Sequence, residues 1–309
     1  MTWNTDILGP DFEAYTIDLG LDPVSEGSEG NILATLVRHK NTDSKHAIYY
    51  VHGMSDYFFQ KHVAEFFVEH GFAFYGIDLR KCGRSHRPGQ RPHHITDMAL
   101  YDEELNAGLD IIAAQHEKVT VMGHSTGGLI VPMWLSRNAN PAVVDVVLNS
   151  PWFDLPVEGK VRNLARPALK ALKRFVPEKI YPEAKHSKYA QSLLQEWDFD
   201  TTWKPIINHK KAFIWLAAVA EAQATLHKGL GLSMPILVMR SDKSALNSSA
   251  TNADTVLLVD DMQYWAPRLG NHVAVEVIAN GMHDLFLSPE PVRSQALDVA
   301  LQFIKGNES

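Results

Sequence analysis

Val119-Thr-Val-Met-Gly-His-Ser-Thr-Gly-Gly128 carries the strongest structural signal of this 309-residue chain. Its first four residues alternate and are mostly β-branched or apolar, which predicts a buried strand, and residues 128–137 have the pattern of the helix that follows. The turn between them has the G-x-S-x-G pattern that presents a serine, here Ser125, at the beginning of a helix. A side chain on either flanking glycine would crowd the neighbouring strand and helix, and so sharp a turn strains the serine backbone. The free N–H groups of the helix N-terminus favour an anion beside this hydroxyl.

The rest of the first half of the chain alternates strands and helices. Strands are predicted at 12–19, 32–37, 47–51, 72–77 and 143–148, and helices at about 59–70 and 97–116. The first strand alternates apolar and polar residues, as in a half-exposed antiparallel strand, and a Gly/Ser/Glu-rich loop separates it from the second. The alternation predicts an α/β fold with a doubly wound, mostly parallel sheet and an antiparallel edge. Ligands bind beyond the carboxyl ends of the strands in such sheets, and Ser125 lies at one of these ends.

The pattern changes after Pro151. Residues 151–231 have no convincing β pattern, and helical stretches are predicted within them at about 161–176, 187–196 and 209–228. We interpret this segment as an inserted helical cap, and residues 1–150 and 232–309 as the core domain. The core resumes with strands at 235–239 and 272–278 and helices at about 257–269 and 290–305.

The histidine expected to activate the serine is His283. A serine hydroxyl is a weak nucleophile that needs a base within hydrogen-bond reach, itself oriented by a third group. In this type of fold the partners follow the serine in the order acid, then histidine. His283 lies in the loop Asn280-Gly-Met-His-Asp284, after the last predicted strand and before the last helix.

Two aspartates compete for the role of the acid. Asp242 follows a strand directly, where this fold often places the acid, whereas Asp254 lies beyond the polar stretch 244–253 and just before a helix. We favour Asp254, because a spacing of 29 residues to His283 suits one intervening helix and strand. Asp242 would then be a turn or capping residue.

Two backbone N–H groups are needed to receive the oxyanion that develops during acyl transfer. Thr126, next to the nucleophile, and Met54, in Val51-His-Gly-Met54 after a buried strand, are the predicted donors. Gly53 allows that loop to approach the substrate closely. We interpret His52 mainly as a residue that organises this loop, and assign His52, Gly53 and His124 to the surroundings of the substrate.

The predicted cap contains four tryptophans, namely Trp152, Trp197, Trp203 and Trp215. One or two of them are expected to line an apolar substrate pocket, and Trp152 is assigned to it. The segment from Lys160 to Lys179 is basic and amphipathic. Such a helix can lie on an anionic membrane, but a cap helix with a solvated basic face is the favoured interpretation.

The chain resembles the α/β-hydrolase superfamily over nearly its whole length. In particular, it is similar to the monoacylglycerol-lipase and serine-aminopeptidase-like branch, which is also called lysophospholipase-like. The matching pieces are His52-Gly53, Asp78-Leu-Arg-Lys-Cys-Gly-Arg-Ser85, Gly123-His-Ser-Thr-Gly-Gly128 and Gly281-Met-His283. The resemblance implies Ser125 as nucleophile, His283 as base, and the amides of Met54 and Thr126 as the oxyanion hole.

The chain departs from the family pattern at two places. Ser244 stands where the family usually has its acid, and the polar stretch before Asp254 resembles an insertion. The loop Met54-Ser-Asp-Tyr57 lacks the histidine often found there in the lipases, which weakens a prediction of monoacylglycerol specificity.

Composition narrows the class of protein. A net charge of -7 argues against nucleic-acid binding, and a single cysteine, Cys82, fits a reducing compartment. No signal peptide or run of 18 apolar residues is evident, so a cytoplasmic enzyme is expected. Cys82 and the pair His93-His94 are interpreted as loop residues rather than as a reactive thiol and a metal site. Nothing in the sequence indicates an oligomeric state.

The predicted function is therefore that of a cofactor-free and metal-free serine hydrolase. Its substrate would be a small-molecule carboxylic ester with a fairly apolar acyl group. An aminopeptidase or amidase is the alternative, and would need a cap carboxylate such as Glu183, Glu196 or Glu221 to bind the substrate amine. A thioesterase or acyltransferase could use the same residues, and a non-catalytic binding module is the alternative outside enzymes. Serine rather than aspartate at the turn disfavours a dehalogenase or an epoxide hydrolase.

Overall fold

A computed structural model describes residues 1–23, 31–157, 159–180 and 186–307 of the chain. Most of the loop predicted between the first two strands lies outside these residues, and so does Glu183. Nine strands of the described chain form one sheet: β1 (Asn4–Asp6), β2 (Gly9–Leu21), β3 (Asn31–His39), β4 (His46–Val51), β5 (Ala73–Asp78), β6 (Lys118–His124), β7 (Val143–Asn149), β8 (Ile236–Ser241) and β9 (Val273–Ile278). The described helices are α1 (Lys61–Glu69), α2 (Asp102–Ala113), α3 (Gly127–Arg137), α4 (Gly159–Phe175), α5 (Lys188–Leu193), α6 (Phe213–Leu226), α7 (Val259–Trp265) and α8 (Val292–Gly306).

The strand order is β1-β2-β3-β5-β4-β6-β7-β8-β9. Strands β4 to β9 run parallel to one another. Strands β1, β2 and β3 form an antiparallel edge, in which β3 pairs with β5. The predicted mostly parallel sheet with an antiparallel edge is therefore confirmed. The three-residue strand β1 was not predicted, because it is too short to show a periodic pattern.

Helices cover both faces of the sheet, as the doubly wound pattern predicts. Tyr49 and Val51 of β4 pack into one apolar cluster with residues of α2 and α3, and Ile48 and Tyr50 pack into the other with residues of α1 and α8. Successive side chains of a strand point to opposite faces, so a strand covered on both sides needs a continuous apolar sequence. This requirement explains the apolar run of β4.

The chain between β7 and β8, residues 150–235, contains α4, α5 and α6 close to the predicted positions. We call it the β7–β8 segment. Helix α6 contacts α3 of the core and α4 of the segment. On α4, Leu169 packs against the core cluster, whereas Val161, Leu164 and Phe175 are exposed. Among the described residues, no helix combines the length and the apolar sequence required to cross a membrane.

Candidate active site

Ser125 occupies the sharp turn between β6 and α3. Its φ of 53° lies in the left-handed region, which is strained for a residue with a side chain. The neighbouring glycine makes the turn possible, since a Cβ on Gly127 would lie 2.4 Å from the carbonyl oxygen of Val51. The Ser125 N–H donates to the carbonyl of Asn149 at 3.0 Å, so the end of β7 also fixes the turn.

His283 lies against the serine hydroxyl. The distance from its Nε2 to Ser125 Oγ is 2.9 Å, although the two residues are 158 positions apart in the sequence. Both side chains are buried. The structure therefore brings together the two residues that the sequence predicted as nucleophile and base.

Asp254 supports the other side of the imidazole. His283 Nδ1 is 2.9 Å from Asp254 Oδ2, and Asp254 Oδ1 accepts the backbone N–H groups of Val256 and Leu257. A carboxylate held in this way accepts the Nδ1 proton, which leaves Nε2 free to accept the proton of Ser125. Asp254 is the aspartate favoured from its spacing.

Asp242 has a different role in the structure. Its Oδ1 accepts the backbone N–H of Asn280 at 2.8 Å, and the side chain is exposed. Asn280 has a positive φ of 61° at the beginning of the loop that carries His283. Asp242 thus stabilises that turn.

The polar stretch before Asp254 folds back on its own starting point. Ser244 and Asp254 form a parallel β-bridge, and the Asp254 N–H donates to the carbonyl of Lys243 at 3.0 Å. Residues 244–253 therefore leave and rejoin the core at one place. This closure delivers Asp254 beside the position where the family usually has its acid.

The two predicted oxyanion donors have free amides. In the part of the chain that the structure describes, neither the N–H of Met54 nor that of Thr126 has an acceptor within the protein. Thr126 is the residue immediately before α3, where backbone N–H groups lack helical acceptors. Gly53 packs closely on the turn, since a Cβ there would lie 3.1 Å from Ser125 Cβ.

The loop that follows β4, residues 52–56, is held by His52. Its Nε2 accepts the N–H of Leu79 at 3.1 Å, so its Nδ1 carries the proton and donates to the carbonyl of Gly53 at 2.7 Å. The side chain is fully buried and does not line the cavity described next. His52 was assigned to the substrate surroundings, but it lies behind the cavity wall, and its contacts are consistent with its interpretation as a loop-organising residue.

A cavity of about 490 Å³ contains the hydroxyl of Ser125 and the ring of His283. Gly53, Met54 and His124 line it, as predicted, but Trp152 does not, nor do the other tryptophans of the segment. The side chain of Trp152 packs into the main core cluster, and its backbone N–H donates to the carbonyl of Ser125 at 2.9 Å. The β7–β8 segment instead contributes mostly polar side chains to the cavity wall, among them His186, Ser187, Lys188, Lys204 and Asn208.

A buried ion pair forms part of this wall. Lys204 Nζ lies 2.8 Å from Asp56 Oδ1, and both residues line the cavity. Polar groups from the core, including Asn247, Ser248 and Thr255, face the same space. The cavity wall is therefore mixed in polarity, and it differs from the apolar acyl pocket expected from the sequence.

Asn149 and Asp284 position the site and were not predicted. The Asn149 amide donates to Asp284 Oδ1 at 2.7 Å and accepts the N–H of Leu285 at 3.2 Å, while its carbonyl holds Ser125. Asp284 also accepts a hydrogen bond from Gln60 at 3.1 Å. Burial alone would raise the pKa of Asp284, but the nearby His124 and these hydrogen bonds bring it below 3.8. A polar residue at the end of a buried strand was the available sequence signal.

Comparisons with known proteins agree with this architecture. The sequence model of the family described as "Serine aminopeptidase, S33" matches residues 42–290. The structure of a monoacylglycerol lipase from Paleococcus ferrophilus matches with a TM-score of 0.68 and 15% identity, covering 96% of this chain and 100% of that one. A soluble variant of monoglyceride lipase from Saccharomyces cerevisiae, in complex with a substrate analogue, matches with a TM-score of 0.67 and 12% identity, covering 95% and 96% of the two chains.

A relative by sequence is phospholipase YtpA of Bacillus subtilis, which is 28% identical over 124 residues. That match spans 40% of this chain and 47% of the relative, so it covers less than half of that protein's length. At these identities the structural matches show the fold, which is the α/β-hydrolase fold predicted from the sequence.

Proposed function

We propose that this chain, which belongs to the serine aminopeptidase S33 family, hydrolyses carboxylic esters through an acyl-enzyme formed on Ser125. The observation that carries the proposal is the unbroken series of hydrogen bonds from Ser125 through His283 to Asp254, with both distances at 2.9 Å. A nucleophile, its base and an orienting carboxylate in mutual contact are the recurring arrangement of acyl transfer on unrelated folds.

Each step of the reaction uses groups of this chain and water. Ser125 Oγ attacks the ester carbonyl while its proton passes to His283 Nε2, and Asp254 stabilises the imidazolium that forms. The amides of Met54 and Thr126 receive the oxyanion, each such donor being worth about 10²–10³ in kcat. His283 then protonates the leaving alcohol, and water activated by the same imidazole releases the acid.

The cavity favours an ester with polar substituents over one with a long alkyl chain. Its volume suits a small to medium-sized ligand. An alkyl chain would displace water from polar groups of the wall such as those of Asn208 and Ser248, which costs free energy. The β7–β8 segment would act as the predicted cap, since it supplies one side of this wall.

Recognition of a substrate amine, as in an aminopeptidase, has less support. Asp56 lines the cavity, but Lys204 neutralises it. Two of the three segment carboxylates considered for this role, Glu196 and Glu221, pair with Arg293 and Lys173 and do not line the cavity. The third, Glu183, lies outside the described residues. Among the described residues of the cavity wall, no unpaired carboxylate is therefore offered to an amine.

Replacement of the nucleophile tests the proposal. Ser125→Ala should lower kcat for p-nitrophenyl butyrate by about 10⁵–10⁶-fold, because the enzyme loses the atom that forms the acyl bond. A fluorophosphonate should label wild type at Ser125, as located by peptide mass spectrometry. Ser136→Ala, on α3 away from the cavity, is the matched control and should keep full activity. Undiminished turnover by Ser125→Ala would overturn the proposal, and faster cleavage of alanine p-nitroanilide than of esters would favour the amidase alternative.

A further inference from the structure

A second buried histidine, His93, contacts the β4 loop from outside the proposed catalytic residues. The backbone N–H of Ser55 donates to His93 Nε2 at 2.7 Å. On the other side of the ring, His93 Nδ1 lies 3.1 Å from the sulfur of Cys82. All three residues are buried, and His93 does not line the cavity.

These contacts determine where the protons lie. An amide N–H can only donate, so His93 Nε2 is an acceptor and the ring proton is on Nδ1. Nδ1–H therefore donates to the Cys82 sulfur, whose own S–H points to the carbonyl of Arg80 at 3.3 Å. A second proton on His93 would place an N–H against the N–H of Ser55. The arrangement therefore requires a neutral imidazole.

The surroundings of His93 favour that neutral form. Burial is the largest influence, and the nearby Lys211 adds to it, so that the pKa of His93 lies well below 6.5. Burial likewise raises the pKa of the Cys82 thiol well above its usual value, which keeps the sulfur available as a neutral acceptor. The thiol is therefore a structural partner rather than a reactive group.

The bond to Ser55 lies one peptide away from the proposed oxyanion donor. His52 holds the carbonyl of Gly53, which belongs to the same planar peptide unit as the Met54 N–H, and His93 holds the N–H of the next unit. We propose that His93 is a positioning residue that fixes the direction of the Met54 N–H by anchoring Ser55. This inference rests on the proposed function, because it concerns the oxyanion of that reaction.

Backbone conformation shows why such an anchor is needed. Ser55 has a φ of 52° and His93 a φ of 63°, and neither is a glycine. Left-handed backbone at such residues costs on the order of 1 kcal/mol or more and persists only where surrounding contacts hold it. Without the Nε2 acceptor, Ser55 would relax toward ordinary φ values, and the Met54 N–H would turn with it.

Two substitutions of His93 separate positioning from mere packing. His93→Phe keeps the ring shape and removes the acceptor, whereas His93→Gln places an amide oxygen near the position of Nε2 and restores it. We expect His93→Phe to lower kcat for p-nitrophenyl butyrate by about 10–100-fold with KM within about twofold, as expected when a transition-state contact is displaced. His93→Gln should recover most of this loss. Rates are normalised to active sites titrated with a fluorophosphonate.

The ratio of the rates with an ester and with its thionoester analogue provides a second measurement, which a folding defect does not change. Sulfur in place of the carbonyl oxygen fits an oxyanion hole poorly, so wild type should prefer p-nitrophenyl butyrate strongly over its thiono analogue. His93→Phe should narrow this preference by about tenfold, since the hole is less well formed. His116→Phe is the matched control, because His116 is a buried histidine bonded to Tyr75 and Ser44 before β6, away from the site.

The outcomes distinguish this inference from the proposed function. If wild type is labelled at Ser125 and His93→Phe keeps both kcat and the preference, the positioning role of His93 is wrong. Equal losses in the Phe and Gln variants would also overturn it. If wild type is not labelled at Ser125, the proposed function fails first.

Discussion

Two loops meet at Ser125, and they hold their histidines in different ways. In the β9 loop, residues 279–284, His283 has a carboxylate on one side and a hydroxyl on the other. In the β4 loop, His52 accepts the N–H of Leu79, and the neighbouring His93 accepts the N–H of Ser55. A hydroxyl can donate or accept, but an amide N–H can only donate.

The difference shows which of these hydrogen bonds are compatible with a second proton on the imidazole. A proton added to His283 Nε2 still has an acceptor in Ser125 Oγ, and Asp254 stabilises the cation. A proton added to His52 or His93 would face a donor and break the hydrogen bond that shapes the β4 loop. In the proposed reaction, the β9 loop would therefore exchange protons, while the β4 loop would keep its hydrogen bonds as charge develops beside it.

The largest effect is expected when His283 of the β9 loop loses the carboxylate of Asp254 as the acceptor of its Nδ1 proton. Asp254→Asn should lower kcat by about 10³–10⁴-fold, because an amide can hold His283 in the wrong tautomer. Asp242→Asn, which removes charge from a turn only, should leave kcat within about threefold. Initial rates with p-nitrophenyl butyrate, with thermal unfolding to verify folding, measure both. A large loss in Asp242→Asn instead would reverse the assignment of the acid.

A smaller effect is expected from the residue that ties the β9 loop to the nucleophile. Asn149→Ala keeps the carbonyl that holds Ser125, but it removes one of the hydrogen-bond donors to Asp284 and leaves the N–H of Leu285 without its acceptor. We expect a loss of about 1–3 kcal/mol in the free energy of unfolding, and a fall in kcat of about 10–100-fold.

Asn106→Ala is the control for that experiment. Asn106, on α2, forms hydrogen bonds with Trp134 and Asn138 and does not line the cavity. Its loss should lower stability and leave kcat per titrated site unchanged. An Asn149 variant that behaves like the Asn106 variant would show that the link between the loops does not affect catalysis.

The sequence predicted the fold, and it also predicted the residues that the structure brings together on the β9 side. Alternating strands and helices are local patterns, and the turn at Ser125 has few alternatives once its glycines are recognised. His283 follows from its position after the last strand. Asp254 was favoured over Asp242 by spacing, although the bridge between Ser244 and Asp254 that places it depends on tertiary contacts.

The contacts of the β4 loop could not be predicted from the sequence. The partner of Ser55 is 38 residues further along the chain, in a loop without a periodic pattern, so His93 gave no signal beyond its residue type. The same holds for the cavity wall, because the packing of the β7–β8 segment decides which side chains face it. Trp152 was assigned to the substrate pocket because it is a tryptophan of the predicted cap, but it packs into the core instead.

The smallest effect is expected from the contact that the β7–β8 segment makes with the β4 loop. Lys211 Nζ donates to Ser55 Oγ at 3.1 Å and to the carbonyl of His209 at 3.2 Å. Burial lowers the pKa of Lys211 from 10.5 to about 7. The unfolded chain therefore holds this proton up to about pH 10.5, whereas the folded protein releases it above about pH 7.

Between these two pH values the unfolded state binds more protons, so the contribution of Lys211 to the free energy of unfolding rises with pH and is constant below about pH 7. Denaturant unfolding of wild type and Lys211→Met at pH 6 to 10 measures this contribution. The free energy of unfolding of wild type should increase relative to that of the variant as the pH rises. The exposed neighbour gives the control Lys210→Met, whose difference from wild type should be flat. A flat difference for Lys211→Met would mean that its amine stays solvated and does not bind Ser55. Because the acceptors on His52 and His93 remain in either case, kcat should change less in Lys211→Met than in Asn149→Ala.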